Sequence, residues 1–158
     1  MRIGQGFDAH RYGEPATATE IVLGGVKVAF DKAIVAHSDG DVLIHALCDA
    51  LLGASAQGDL GSHFPDSDSA FAGADSRHLL RETCRLIDSA GFSISNVDMT
   101  LIAQAPRISP FIQEMCNVLA EDMGIEAAQV SIKATTTEGL GFTGRGEGIA
   151  AQAVVLLA

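Results

Sequence analysis

A polar, turn-forming segment, His37-Ser-Asp-Gly-Asp41, runs straight into an apolar stretch of helical period that ends near Ala54. Asp39, Gly40 and Asp41 suit a loop and a helix N-cap, because a short carboxylate can accept the unpaired amides of a first helical turn. Val42, Ala46, Ala50 and Gly53 recur at helical intervals, with Leu43, Leu47 and Leu51 beside them. The spacing predicts a helix from Asp41 to Ala54 with a broad apolar face. On it His45 and Asp49 stand four apart, so they project from neighbouring turns. The carboxylate either orients the imidazole for a metal or forms a solvated pair with it. His37 and Ser38 precede the helix, where free amides and the helix dipole favour phosphate oxygens.

Upstream, Arg2 to Arg11 reads as a strand broken by Gly4 and Gly6 and carrying Asp8 and His10. Residues two apart on an extended chain face the same side, so this carboxylate and imidazole can converge on one point. Asp8, His10 and His45 together make a three-ligand set of the kind a catalytic zinc uses, with a fourth position open. The competing reading is two unrelated pieces, a strand pair and a helical histidine.

After a polar loop from Gly13 to Thr19, Ile21–Leu23 and Val26–Phe30 flank Gly24-Gly25, a hairpin signal. Gln57 to Gly73 is polar and without period, either a surface connection or a substrate loop. Asp75 or Ser76 caps a second helix running to Ala90, with Leu79, Leu80, Thr83, Leu86, Ile87 and Ala90 as its stripe and Gly91 beyond its end. Val97, Met99 and Leu101 alternate with polar residues in a strand ending near Ala103. Ser109 as N-cap and Pro110 at the first position start a third helix, ended by Gly124. Val130, Ile132 and Ala134 mark another strand. Ile149 to Leu157 is almost wholly apolar, which predicts burial on both faces. Strands alternating with helices, without repeats or linkers, predict a single domain over residues 1–158. It is α/β, of α+β type: a mixed sheet with helices packed on one side.

A net charge of −10 with only ten Lys and Arg argues against nucleic acid or an anionic membrane as partner. A phosphate-bearing substrate would then need divalent cations to supply positive charge. Arg77, Arg81 and Arg85 recur every four residues and read as one solvated helix face. Cys48, Cys84 and Cys116 are scattered and odd in number, as buried thiols in a reducing compartment would be. With no signal peptide and no spanning apolar run, a cytoplasmic location is expected. The positive mean hydropathy points to apolar surface buried between subunits.

Several longer motifs add to this. Gly6-Phe-Asp8-Ala-His10-Arg11, His37-Ser-Asp-Gly-Asp-Val-Leu-Ile-His45-Ala46, Gly58-Asp-Leu-Gly61, Phe64-Pro-Asp66 and Ala103-Gln-Ala-Pro-Arg107 are followed by Lys133-Ala-Thr-Thr-Thr-Glu-Gly-Leu-Gly-Phe-Thr-Gly-Arg-Gly-Glu-Gly148. In order and over nearly the whole chain, they resemble the 2-C-methyl-D-erythritol 2,4-cyclodiphosphate synthase family of non-mevalonate isoprenoid biosynthesis. The resemblance implies a phosphorus–oxygen lyase. Its substrate would be 4-diphosphocytidyl-2-C-methyl-D-erythritol 2-phosphate, whose 2-phosphate attacks the β-phosphorus to give the cyclic diphosphate and CMP.

Carried onto this sequence, the resemblance implies zinc on Asp8, His10 and His45, and magnesium or manganese on Glu138 and the substrate phosphates. It makes His37 and Thr136 the catalytic, transition-state-stabilising pair, with Ser38 as a phosphate donor. Asp8, Ala9 and His10 line the substrate; Asp59, Leu60 and Gly61 meet the methylerythritol, flanked by Phe64, Pro65, Asp66, Ser67 and Asp68. Ala103, Gln104, Ala105, Pro106, Arg107, Ile108 and Ser109 cradle cytosine. Thr135, Thr136, Thr137, Glu138, Phe142 and Arg145 complete the phosphate and cytidine surroundings. Read without the family, the threonine run is a plain strand end and Arg145 a surface ion pair with Glu147. Arg107 and Gly139 stand where the family often has Lys, and Ser109 where it often has an apolar residue, which bears on the cytidine pocket. A stand-alone form is expected instead of a fused bifunctional one. So is a homotrimer with shared active sites, whose central cavity, near Phe142, Arg145 and Glu147, could take an isoprenoid diphosphate. The same ligands would also serve a metal-dependent phosphohydrolase, or a trimeric binding protein with structural zinc.

Overall fold

In the computed structural model, which describes residues 1–15, 20–65 and 73–158, the first strand, β1, runs unbroken from Arg2 to Pro15. Gly4 and Gly6, expected to interrupt it, are instead where a helix lies against it. A Cβ on either would be driven into the carbonyl of Ala50 or Ala46 on helix α1 (Val42–Ala54). Close approach of two backbones is what glycine permits here.

β1 lies second in a five-stranded sheet of order β4-β1-β7-β5-β6, with β4 at Lys32–Val35, β5 at Ile94–Ile102, β6 at Val130–Thr135 and β7 at Gly148–Leu157. β1 pairs antiparallel with β4 and β7, β7 antiparallel with β5, and β5 parallel with β6. The sheet is therefore mixed, as expected. β2 (Glu20–Leu23) and β3 (Val26–Ala29) form the expected hairpin, with φ of +57° and +74° at Gly24 and Gly25. Those values are the left-handed pair a two-residue turn of this kind demands.

The register explains which face is covered. Gly6, Ala153, Met99 and Ile132 share one row across four strands, and Gly4, Val155, Val97 and Val130 share another. All eight are buried against α1, α3 (Ser76–Ser89) and α4 (Ile112–Met123). The row of Gln5, Val154, Asp98 and Ser131 between them, and that of Phe7, Gln152, Thr100 and Lys133 beyond Gly6, face the other way. β7 is therefore not buried on both faces in the single chain: Gln152 and Val154 are exposed, because the helices cover only one side.

Other departures have local causes. Ser109 does not cap α4; its Oγ accepts from Arg107 Nε at 3.0 Å, and residues 109–111 close a turn before the helix starts at Ile112. In the polar stretch after Gln57 a single helical turn, α2 (Leu60–His63), is capped by Asp59. Gly53 and Ala90, counted in apolar stripes, are exposed. Arg77 and Arg81 do not form a solvated face. They converge on Asp122 of α4, whose side chain is 3% exposed; Arg85 pairs with Glu82. The three cysteines are free and buried.

Candidate active site

β1 and α1 run in opposite directions, and their repeats match. Two strand residues advance about 6.6 Å and four helix residues about 6 Å, so contacts recur in step. Gly4 meets Ala50 and Ala54, and Gly6 meets Ala46 and Ala50. One step further, the strand presents Asp8 where the helix presents His45.

Asp8 Oδ2 lies 3.0 Å from His10 Nε2 and 3.0 Å from His45 Nδ1, and the two ring nitrogens are 3.1 Å apart. The His rings meet edge to face, at an interplanar angle of 83°. Burial alone would push the Asp8 carboxyl up, but hydrogen bonds to His10 and His45 and their charge hold it well below the usual carboxylate range. Burial pulls His45 down, and the hydrogen bond and charge of Asp8, helped by Asp41 and Asp39, more than reverse that, so its pKa is raised. Three electron-pair donors facing one point at equal spacing fit a cation. Tetrahedral zinc, with bonds of about 2.0–2.1 Å, separates its ligand atoms by about 3.3 Å. Two imidazoles and a carboxylate are donors zinc accepts. Asp8, His10 and His45 are the one such group of metal-type ligands among the described residues.

The far nitrogen of His45, Nε2, faces Ser76 Oγ at 2.9 Å and Ser38 Oγ at 3.2 Å. Asp49 does not orient His45; its Oδ1 accepts from the Leu60 amide at 2.7 Å and so fixes α2. The three donors open onto a cleft of about 230 Å³ that is also lined by His37, Ser38, Asp49, Leu60, Gly61 and Phe64. Asp59 is held at the N-terminus of α2, accepting from the Ser62 amide at 2.8 Å and its hydroxyl at 2.6 Å. The Ala9 amide donates to Asp8 Oδ1 at 2.8 Å, and Pro65 follows Phe64 as an exposed residue. Asp66, Ser67 and Asp68 lie outside the described residues.

The remaining expected residues gather elsewhere. Ala103, Gln104, Pro106, Arg107, Ile108, Ser109, Thr135, Thr136 and Glu138 line a second recess of about 560 Å³. The Ala105 carbonyl there accepts from the Tyr12 hydroxyl at 2.6 Å. Thr136 Oγ1 donates to Glu138 Oε1 at 2.9 Å. Thr137 turns toward Thr143, 3.0 Å away, and Arg145 pairs with Glu147 at 2.7 Å beside an exposed Phe142. Asp8, Ala151, Leu101 and Ala134 occupy one row of the sheet. Three strand spacings, about 14 Å, therefore separate Asp8 from the strand that leads into Thr135. Within one chain Glu138 does not join Asp8, His10 and His45.

The family model for YgbB matches residues 1–158. The chain belongs to the YgbB family. It is 57% identical over 157 residues to the 2-C-methyl-D-erythritol 2,4-cyclodiphosphate synthase of Aliivibrio fischeri, covering 99% of this chain and 98% of that protein. The synthase of the same name from Escherichia coli O127:H6 is 58% identical over 157 residues, covering 99% and 97%. Among solved structures, IspF of Plasmodium falciparum in its CDP complex matches with a TM-score of 0.85 and 34% identity, covering 99% of this chain and 94% of that one.

Two polar partners in this YgbB chain, Ser76 and Asp39, were not visible as site residues in the sequence. Ser76 reads as one of two adjacent helix caps and Asp39 as a loop residue. Their meeting under His45 depends on packing between segments 37 residues apart.

Proposed function

We propose that this chain cyclises 4-diphosphocytidyl-2-C-methyl-D-erythritol 2-phosphate to 2-C-methyl-D-erythritol 2,4-cyclodiphosphate and CMP, as a phosphorus–oxygen lyase of non-mevalonate isoprenoid biosynthesis. The observation that carries the reading is the meeting of Asp8 Oδ2, His10 Nε2 and His45 Nδ1 within 3.0–3.1 Å of one another. They do so at a cleft wall, in a chain 57% identical to a named synthase.

In this reaction an oxygen of the 2-phosphate forms a bond to the β-phosphorus, and the bond from that phosphorus to the bridging oxygen breaks, its electron pair leaving with CMP. The phosphate is already anionic near neutral pH, so no side chain has to act as a base. What the residues must do is align two anions and offset the charge that spreads over the phosphoryl oxygens. Asp8, His10 and His45 would hold zinc, and Glu138 magnesium or manganese; bound there, the cations supply Lewis-acid polarisation of the diphosphate. His37 and Ser38 stand at the same cleft and can donate to phosphate oxygens. Thr136 does so from the Glu138 side. Asp59, Leu60 and Gly61, with Phe64 to Asp68, receive the methylerythritol, and residues 103–109 the cytosine.

Asp8, His10 and His45 and Glu138 would have to serve one diphosphate, yet within a chain about 14 Å of sheet lies between Asp8 and the strand that leads toward Glu138. A homotrimer that brings Glu138 of one copy to Asp8 of another resolves this. The open sheet face supports it: Ile3 and Phe7 are 73% and 50% exposed. Near the threefold axis Phe142 and Arg145 would offer a ring and a cation to an isoprenoid diphosphate. Residues 1–158 act as one catalytic domain, and three buried free thiols suit a cytoplasmic location.

Phosphorus NMR of the metal-loaded protein with the substrate is expected to show the ring diphosphate and CMP. Free monophosphates would make it a hydrolase, and an unchanged substrate spectrum would overturn an enzymatic role.

A further inference from the structure

We infer that Asp39, acting through Ser76, is a positioning residue that sets the tautomer of His45 and keeps the Nδ1 lone pair on the cation position. The inference rests on Asp8, His10 and His45 taking a cation, and not on which substrate is turned over.

Ser76 is fully buried as the first residue of α3. Its hydroxyl has one proton to give. Asp39 can only accept: its Oδ2 takes the Ser76 backbone N–H at 2.9 Å, and its Oδ1 takes the Ser76 hydroxyl and, at 3.2 Å, the Asp41 amide. The hydroxyl proton is therefore committed to Asp39. Toward His45 Nε2, 2.9 Å away, Ser76 is left with a lone pair. Once Asp8 Oδ2 is engaged by a cation and no longer accepts from Nδ1, Nε2 must carry the ring proton, and in a neutral imidazole that makes Nδ1 the lone-pair nitrogen. Nδ1 is the atom that faces Asp8 and His10. Among the described residues Ser38 Oγ, 3.2 Å from Nε2, has no carboxylate partner to set its direction, and it accepts from the Gly40 amide at 3.3 Å. The polarity of the chain thus comes from Asp39. Its loop is pinned to the start of α3 by a further bond, from the Asp39 amide to the Ala74 carbonyl at 3.2 Å.

Asp39→Asn keeps the shape and leaves one acceptor oxygen for three donors. With that oxygen on the Ser76 N–H, the NH2 group faces the hydroxyl and turns its proton onto Nε2, which drives the ring proton to Nδ1, where the cation belongs. With it on the hydroxyl and the Asp41 amide, the Ser76 N–H loses its acceptor and the hold of the loop on α3 is weakened. The expected result is a fall in zinc affinity of about 10–100-fold, measured on the full chain by competition with a chromophoric chelator. Ser76→Ala, which breaks the link without reversing it, should lose less. Nitrogen-15 NMR of the zinc-loaded protein should show a His45 Nε2 proton that is hydrogen-bonded and slow to exchange, and that exchanges faster in Ser76→Ala. If Asp39→Asn fails to fold, the wild-type spectrum and the Ser76→Ala affinity still decide. A wild-type Nε2 proton that exchanges as fast as in Ser76→Ala, or zinc affinities of the folded variants within about threefold of wild type, overturns the proposal whatever the activity.

Discussion

His45 links protonation to metal binding. With its pKa raised by Asp8 against the opposing pull of burial, the metal-free protein gains stability from a protonated His45. That gain is full below the ordinary histidine pKa and is lost as pH rises through the raised folded value. A cation needs the opposite state, the free lone pair, so zinc must displace the proton. Zinc should therefore raise the melting temperature more at pH 8 than at pH 6, with affinity falling about tenfold per pH unit for each proton displaced. A zinc-induced shift that does not change with pH would contradict this ligand assignment. Legibility at this scale followed sequence distance. Asp41 was readable as a cap because its bond to the Ile44 amide, at 3.1 Å, is local. Its bonds to the Gly24 and Gly25 amides, at 2.9 and 2.7 Å, tie the hairpin to α1 and left no sign in the sequence. The same holds for Ser76 under His45, whereas Asp8 and His10 announced themselves through the two-residue period of a strand.

Among elements, the contact between β1 and α1 carries the site. Gly6 sits one step from Asp8 on the covered face, with the Ala46 carbonyl against it. Gly6→Ala should push α1 off the sheet, costing roughly 1–3 kcal/mol by overpacking. It should also weaken zinc binding by separating His45 from Asp8 and His10. Denaturant unfolding together with a zinc titration checks both, and a variant as stable and as tight-binding as wild type would refute the close-packing account. The helix α1 was legible because its apolar period is strong and its cap local. The start of α4 was not, since Ser109 has the right chemistry for a cap and spends it on Arg107. Arg77 and Arg81 looked solvated because their partner, Asp122, lies 45 and 41 residues away on another helix. β4 left no sign because four residues at the edge of the sheet carry too little pattern.

For the whole molecule, one sheet face is packed and the other displays Ile3, Phe7 and Val154. The sequence of β7 pointed to burial on both sides, which the single chain does not provide and an assembly would. Phe7→Lys should leave a folded chain, since the side chain is half exposed, yet shift sedimentation from trimer toward monomer and abolish CMP release. An active monomer would contradict shared sites. A net charge of −10 around a site for a diphosphate makes bound cations the natural counter-charge. Whether Asp8, His10 and His45 share a single cation can be read from zinc-edge anomalous diffraction of crystals of the zinc-loaded protein. A peak is expected about 2.0–2.2 Å from Asp8 Oδ2, His10 Nε2 and His45 Nδ1 together. A fully occupied peak that leaves any of the three uncoordinated, or zinc bound only at other residues, would contradict it.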